Sequence, residues 1–235
     1  MINTKTAIVR KSAAQGDGNP ASFAYGINFY KLAWIFFLFS FVGCCLEMLW
    51  CYITQGFIEC RQGLIYGPFT PIYGLGAVFI TLLLYKIRHI NAILIFFASA
   101  VIGGFFEYAC SWAQQLIFGT VSWEYNASPF NLQGRTDLTY SICWGLLGMV
   151  YIKQTFPYLS RLIEKIPNTV GRWITWIFTA FLIFDILVSA AAVYRQNVRH
   201  QNIPPRNSIE IFLDQHYTDA YLKKIYPNMQ DVKSK

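Results

Sequence analysis

Apolar residues gather into five runs separated by short polar connections, at about 32–53, 68–86, 91–113, 137–156 and 173–194. Each is close to the roughly 20 residues that a helix needs to cross the hydrocarbon core of a bilayer. The pattern predicts an all-α membrane protein, a bundle of about five transmembrane helices over 29–196. Pro68 and Pro71 stand at the start of the second run. They fit a helix terminus, or a short re-entrant entry that protein must bury. Between the fourth and fifth runs, residues 158–166 place apolar side chains at helical spacing opposite charged ones, which predicts an amphipathic connector. Residues 1–28 are polar and lack the apolar core of a signal peptide, so they read as a flexible tail. Residues 197–235 form a C-terminal tail, with short helices expected around 209–213 and 219–227.

Composition agrees with this class. The chain of 235 residues is 55% hydrophobic and only 13% charged, against about a quarter charged in soluble domains. Mean hydropathy is +0.36. A net charge of +7 does not point to nucleic acid, because the basic residues sit in short clusters beside the apolar runs, as topology signals do. Lys86 and Arg88 lie in the second connection, and Lys153, Arg161, Lys165 and Arg172 in the fourth. The first and third connections have one arginine each, Arg61 and Arg135. The expected arrangement is a multi-pass protein of the cell membrane with a cytoplasmic N-terminus. Five spans then carry Arg195, Arg199 and Arg206 to the outside, against the rule, so the side of the tail stays open.

The chain contains no phosphate-binding P-loop, hence no nucleotide-hydrolysing motor. Of its six cysteines only Cys60 falls in a loop, and no CxxC pair or zinc spacing is present. No metal and no cofactor is expected.

The candidate chemistry lies in three acids inside apolar runs: Glu47, Glu107 and Asp185. An ionised acid at mid-bilayer costs about 2.5–3.5 kcal/mol on insertion scales, so such residues face the bundle interior and mark ion, proton or substrate sites. The competing reading is a structural hydrogen bond. Ser40, Gly43, Glu47 and Trp50 fall on one helical stripe, and so do Ala100, Gly103, Glu107 and Cys110. Small residues on those stripes predict close helix contact, with both glutamates turned inward. Gly43-x-x-x-Glu47 and Gly103-x-x-x-Glu107 match at an offset of 60, and Pro68-Phe69 and Pro129-Phe130 at 61. A tandem parallel repeat, about 32–86 and 91–156, would place the two glutamates across a central cleft. Arg135, at the mouth of the fourth run, is a candidate partner for Glu107 or for an anionic headgroup.

Several motifs also resemble a known family. The Leu46-Glu47 stretch, Tyr66-Gly67-Pro68-Phe69-x-Pro71-Ile72-Tyr73-Gly74, Glu107-Tyr108, Pro129-Phe130-Asn131-Leu132-x-Gly134-Arg135 and Trp144-Gly145-Leu146-Leu147-Gly148 are similar to type IV ABC-transporter permeases. The resemblance covers about residues 30–230. It implies a transport function, a separate ATPase subunit docked on the cytoplasmic connections, and Glu47, Tyr66, Glu107, Asn131, Arg135 and Asp185 as substrate-pocket residues. Membrane lipids are expected neighbours, and a homo-oligomer stays open. Two other classes compete. One is an intramembrane enzyme acting on a lipid or isoprenoid, with Glu47 or Glu107 as general base and Arg135 and Asn131 on a headgroup. The other is a non-catalytic membrane scaffold. No catalytic residue is assigned.

Overall fold

The computed structural model describes residues 21–231; of the N-terminal tail expected over 1–28, residues 1–20 lie outside it. Helix makes up 70% of the protein and strand 3%, which establishes the all-α class. In chain order the helices are α1 (Phe29–Gln55), α2 (Pro71–Leu84), α3 (Ala92–Phe118), α4 (Leu138–Val150), α5 (Phe156–Glu164), α6 (Asn168–His200), α7 (Ser208–His216) and α8 (Asp219–Ile225). A 3-10 turn, Tyr85–Ile87, extends α2. A π-helical turn, Tyr151–Thr155, joins α4 to α5 without a break. The amphipathic stretch therefore continues the fourth helix instead of standing apart from it. It turns Phe156, Ser160, Ile163 and Glu164 inward.

Three helices, α1, α3 and α6, are long and apolar enough to cross a membrane. Only 28% of each apolar window is buried within the protein. The remaining faces carry exposed side chains such as Val101, Phe105, Ile177 and Leu187. In water such a surface would be an aggregation hazard; in lipid it is the solvated face. Helix α2 is apolar but shorter, with 14 residues before its 3-10 turn.

Local chemistry sets the ends of these helices. Asn28, Asn91 and Asp137 cap α1, α3 and α4, each accepting a backbone N–H of the first turn. Gly56 and Gly119 follow α1 and α3 in the left-handed region, at φ 80° and 66°. They end those helices where a bulkier residue would be strained. Pro71 takes the first turn of α2, where its missing N–H costs nothing.

The helices pack as two hairpins, α1 with α2 and α3 with α4. Glycines let the backbones meet. Gly74 lies against the Phe36 carbonyl and ring, and Gly145 against the Phe96 carbonyl and ring. A Cβ on Gly43 would run into the Tyr73 ring, and one on Gly103 into Trp144. Ile35, Ile80, Ile95, Ile152 and Ile163 form the core between the hairpins.

The two ends of the bundle are built differently. At the end where α1 and α6 begin, Lys31 is fully buried and bonds to Glu164 and Ser160. Residues 21–28 pack on the start of α6 rather than trailing away. The Phe23 N–H donates to Asn168 Oδ1 at 2.6 Å, and the Phe23 ring sits on Gly171. At the other end the C-terminal tail is fastened to α6 and to both connections. Arg195 donates to both Asp214 oxygens, at 2.9 and 2.7 Å, and Arg199 bonds Asp214 and Asp219. The hydroxyls of Tyr66 and Tyr217 share a hydrogen bond of 2.8 Å. Strand β4 (Gln230–Asp231) pairs antiparallel with β1 (Thr120–Val121), while β2 (Asn131–Leu132) pairs with β3 (Thr136–Asp137). The tail thus shares a face with residues 56–70 and 119–137.

Candidate functional site

The two hairpins place Glu47 and Glu107 on either side of one aromatic pair. Glu47, half-buried, accepts a hydrogen bond from the Tyr73 hydroxyl at 2.6 Å. The Tyr73 ring stacks on Trp144, with centroids 6.3 Å apart and planes 28° apart. The Trp144 indole lies alongside Glu107. Glu107 is buried, and its two oxygens accept from the Tyr125 hydroxyl at 2.9 Å and from Thr136 Oγ1 at 2.8 Å. Tyr73 lies within electrostatic range of both carboxylates. Tyr140 stacks on Tyr125, with centroids 4.6 Å apart, and closes the loop side.

Each donor is placed by its element. Tyr73 is in the first turn of α2, one residue before Gly74 brings that helix onto α1. Trp144 likewise precedes Gly145, which brings α4 onto α3. Thr136 comes from β3, immediately before the cap of α4. Tyr125 comes from the connection between α3 and α4, where burial, and then the Glu107 charge, push its phenol well above the ordinary tyrosine range. It therefore stays a proton donor at neutral pH.

Arg135 stands along α3 from Glu107. Its guanidinium donates to Ser111 at 3.3 Å and to Gln115, and lies 5.8 Å from the Tyr108 ring centre. Among the described residues it forms no ion pair with Glu107. Asn131 is occupied inside its own loop, donating to the Ser128 carbonyl at 2.8 Å and accepting the Gly134 N–H at 2.9 Å.

Asp185 and Tyr66 form a second group. Asp185 is fully buried; its Oδ1 accepts the Tyr66 N–H at 3.1 Å and the Ser189 hydroxyl at 3.3 Å. Ser189 accepts the Ile65 N–H at 2.9 Å. These bonds pin the loop before α2 to α6, and among the described residues none reaches Glu47 or Glu107. Asp185 Oδ2 has no hydrogen-bond partner among the described residues.

Tyr73, Trp144, Tyr125 and Thr136 were not among the residues expected from sequence. An available signal was the aromatic-glycine pair near the start of the second helix of each hairpin, Tyr73-Gly74 and Trp144-Gly145. No group of His, Cys, Asp or Glu with metal-binding geometry is present among the described residues.

Chemically, the central set consists of two carboxylates in apolar surroundings, each hydrogen-bonded by neutral donors; Arg61, paired with Glu59, acts on Glu47 only through space. Such acids can exchange a proton or receive a cationic group.

No curated protein and no solved structure matches the chain. A family model described as "Putative ABC-transporter type IV" matches residues 34–190, which run from within α1 to within α6 and take in both glutamates, the aromatic pair and Asp185. The long apolar helices make this a membrane protein, and the match places the chain in the type IV ABC-transporter family of that description.

Proposed function

We propose that the protein is a permease, a five-span bundle that moves a cationic or amphiphilic solute, or a proton, past Glu47 and Glu107. The observation that carries this reading is the paired site: two carboxylates, one per hairpin, flank the Tyr73–Trp144 stack and are hydrogen-bonded by hydroxyls, while Arg61, whose charge reaches Glu47, is itself paired with Glu59. A structural hydrogen bond needs one acid and one donor. Two acids within range of one tyrosine are the kind of arrangement that serves a proton, an ion or a cationic solute. The remaining two spans are α2 with its 3-10 turn and the continuous α4–π–α5 helix. Asp185 and Tyr66 hold the wall beside the pair, and Arg135 and Asn131 shape the loop end.

The hairpins are read as two copies of one unit. Support comes from contacts at constant offsets. Phe36, Gly43 and Glu47 correspond to Phe96, Gly103 and Glu107 at sixty positions. Tyr73 and Gly74 correspond to Trp144 and Gly145 at seventy-one. The second offset departs from the 61 expected from the Pro-Phe pairs. Phe69 packs between Phe41 and Phe181, whereas Phe130 is 81% exposed, so the two phenylalanines have unlike places.

With the lysine- and arginine-rich connections in the cytoplasm, the N-terminus is cytoplasmic and the tail face is external. A separate ATPase subunit would then meet the cytoplasmic end around α5. Uptake of radiolabelled tetraphenylphosphonium and quenching of a pH-sensitive dye in proteoliposomes test the reading. Movement of either probe that is abolished in Glu47→Gln/Glu107→Gln supports it. Movement that survives the double substitution removes the acids from the mechanism, and no movement by the unaltered protein counts against the cation and proton versions.

A further inference from the structure

We propose that the cleft between the starts of α1 and α6 binds the headgroup of an anionic phospholipid. The cleft encloses about 560 Å³ and is lined by Tyr30, Asn168, Thr169, Arg172, Trp173 and Trp176. Its walls are fixed before any ligand arrives. Both polar atoms of the Asn168 side chain are taken by residues 21–23, through the Phe23 N–H at 2.6 Å and the Ala21 carbonyl at 2.8 Å. Trp34 Nε1 donates to Thr175 Oγ1 at 3.0 Å and locks α1 to α6 just beyond. Phe29 packs on Trp176, with ring centroids 5.3 Å apart.

The occupant follows from charge and from the aromatic side chains. Among the described residues no carboxylate pairs with Arg172, in contrast to Arg195 and Arg199 at the far end. The basic residues Lys86, Lys153, Arg161 and Lys165 share this end of the bundle with Arg172, and the acid described there, Glu164, is bonded to Lys31. The end is thus an electropositive surface. Trp173 and Trp176 stand one turn apart and are 68% and 55% exposed. They are the amphipathic rings that settle at headgroup depth. A guanidinium at that depth, flanked by indoles, suits a phosphate with acyl chains descending along the apolar face of α6. A zwitterionic lipid brings its own cation and gains less.

Native mass spectrometry of the full chain in mild detergent, titrated with phosphatidylglycerol or phosphatidylcholine, tests this. The expected result is a preference for phosphatidylglycerol of about fivefold, the worth of one basic residue near an anionic surface. Arg172→Gln reduces the preference to near unity, and Trp176→Ala weakens both lipids. Arg161→Gln, whose guanidinium bonds the Pro157 carbonyl on the same face, leaves the preference intact. Equal binding of the two lipids by the unaltered protein overturns the proposal, as does equal loss in Arg161→Gln and Arg172→Gln. Full displacement by millimolar inorganic phosphate assigns the cleft to a free anion and overturns the lipid assignment.

Discussion

The Tyr73 hydroxyl points at Glu47 across 2.6 Å while its ring rests on Trp144. One side chain thus joins the carboxylate of the first hairpin to the aromatic wall of the second. A hydrogen bond to a charged acceptor contributes about 1.5–3 kcal/mol. Tyr73→Phe should therefore lower the melting temperature in detergent and leave Glu47 without its donor. Tyr73→Phe and Glu47→Gln should be non-additive, since they remove the same contact. Strictly additive losses would show that the bond carries no weight.

Gly43 and Gly103 have no space for a methyl group. Gly43→Ala would press on the Tyr73 ring and Gly103→Ala on Trp144, side chains set at a helix contact and unable to withdraw. Overpacking of this kind costs about 1–3 kcal/mol. Thermal unfolding should detect both losses, and the Gly43→Ala loss should shrink when Tyr73 is also replaced by alanine.

Lys31 and Glu164 form a buried pair between α1 and α5. Removing one partner strands the other, at about 3–5 kcal/mol, whereas replacing both by apolar residues is far milder. Lys31→Met alone should therefore be more damaging than Lys31→Met with Glu164→Leu, as measured by yield of folded protein and by melting temperature.

Docking of the tail should depend on pH. Hydrogen bonds from Arg195, and then from Arg199, hold the Asp214 carboxyl below the usual aspartate range. A depressed folded value means that the stabilisation is present above about pH 3.9, the unfolded value, and is lost as pH falls through the lower folded value. Hydrogen exchange in α7 and α8 should rise below about pH 4, and Asp214→Asn should show the faster exchange already at neutral pH.

Orientation can be read with thiols. Cys60 lies in the first connection, on the face that the tail covers, and Lys165 is exposed at the opposite end. With a cytoplasmic N-terminus, an impermeant maleimide on intact cells should label Cys60. A Lys165→Cys protein lacking Cys60 should be labelled only after lysis. The reverse pattern would invert the topology.

The helical class and the buried acids Glu107 and Asp185 were legible because an apolar run of spanning length and a carboxylate within it are both local signals; Glu47 is half-buried. The small-residue stripes were legible for the same reason, as Gly43 and Gly103 are indeed where α2 and α4 approach. What holds the carboxylates was not legible. Tyr73, Tyr125 and Thr136 are remote in sequence from the acids they serve, and a tyrosine in an apolar run reads as packing. The partner expected for Glu107 was Arg135, chosen because a cation nearby is the simplest neutraliser. The fold sends that guanidinium along α3 to Ser111 and Gln115 and gives Glu107 neutral hydroxyls instead. Asp185 was readable as an inward acid, but its role in pinning the loop at Ile65 and Tyr66 depends on a long-range backbone contact that no pattern announces.

Tyrosine in one hairpin and tryptophan in the corresponding place of the other make the two half-sites unequal. A phenol both gives and takes a proton, whereas an indole N–H only gives. Glu47 therefore takes its hydroxyl contact from the wall residue Tyr73, whereas the hydroxyls on Glu107 come from Tyr125 and Thr136 of the loop side, its own wall residue Trp144 offering only an N–H. The two acids, one per hairpin, are thus not interchangeable, and a change at Tyr73 will not have the same consequence for its acid as a change at Trp144.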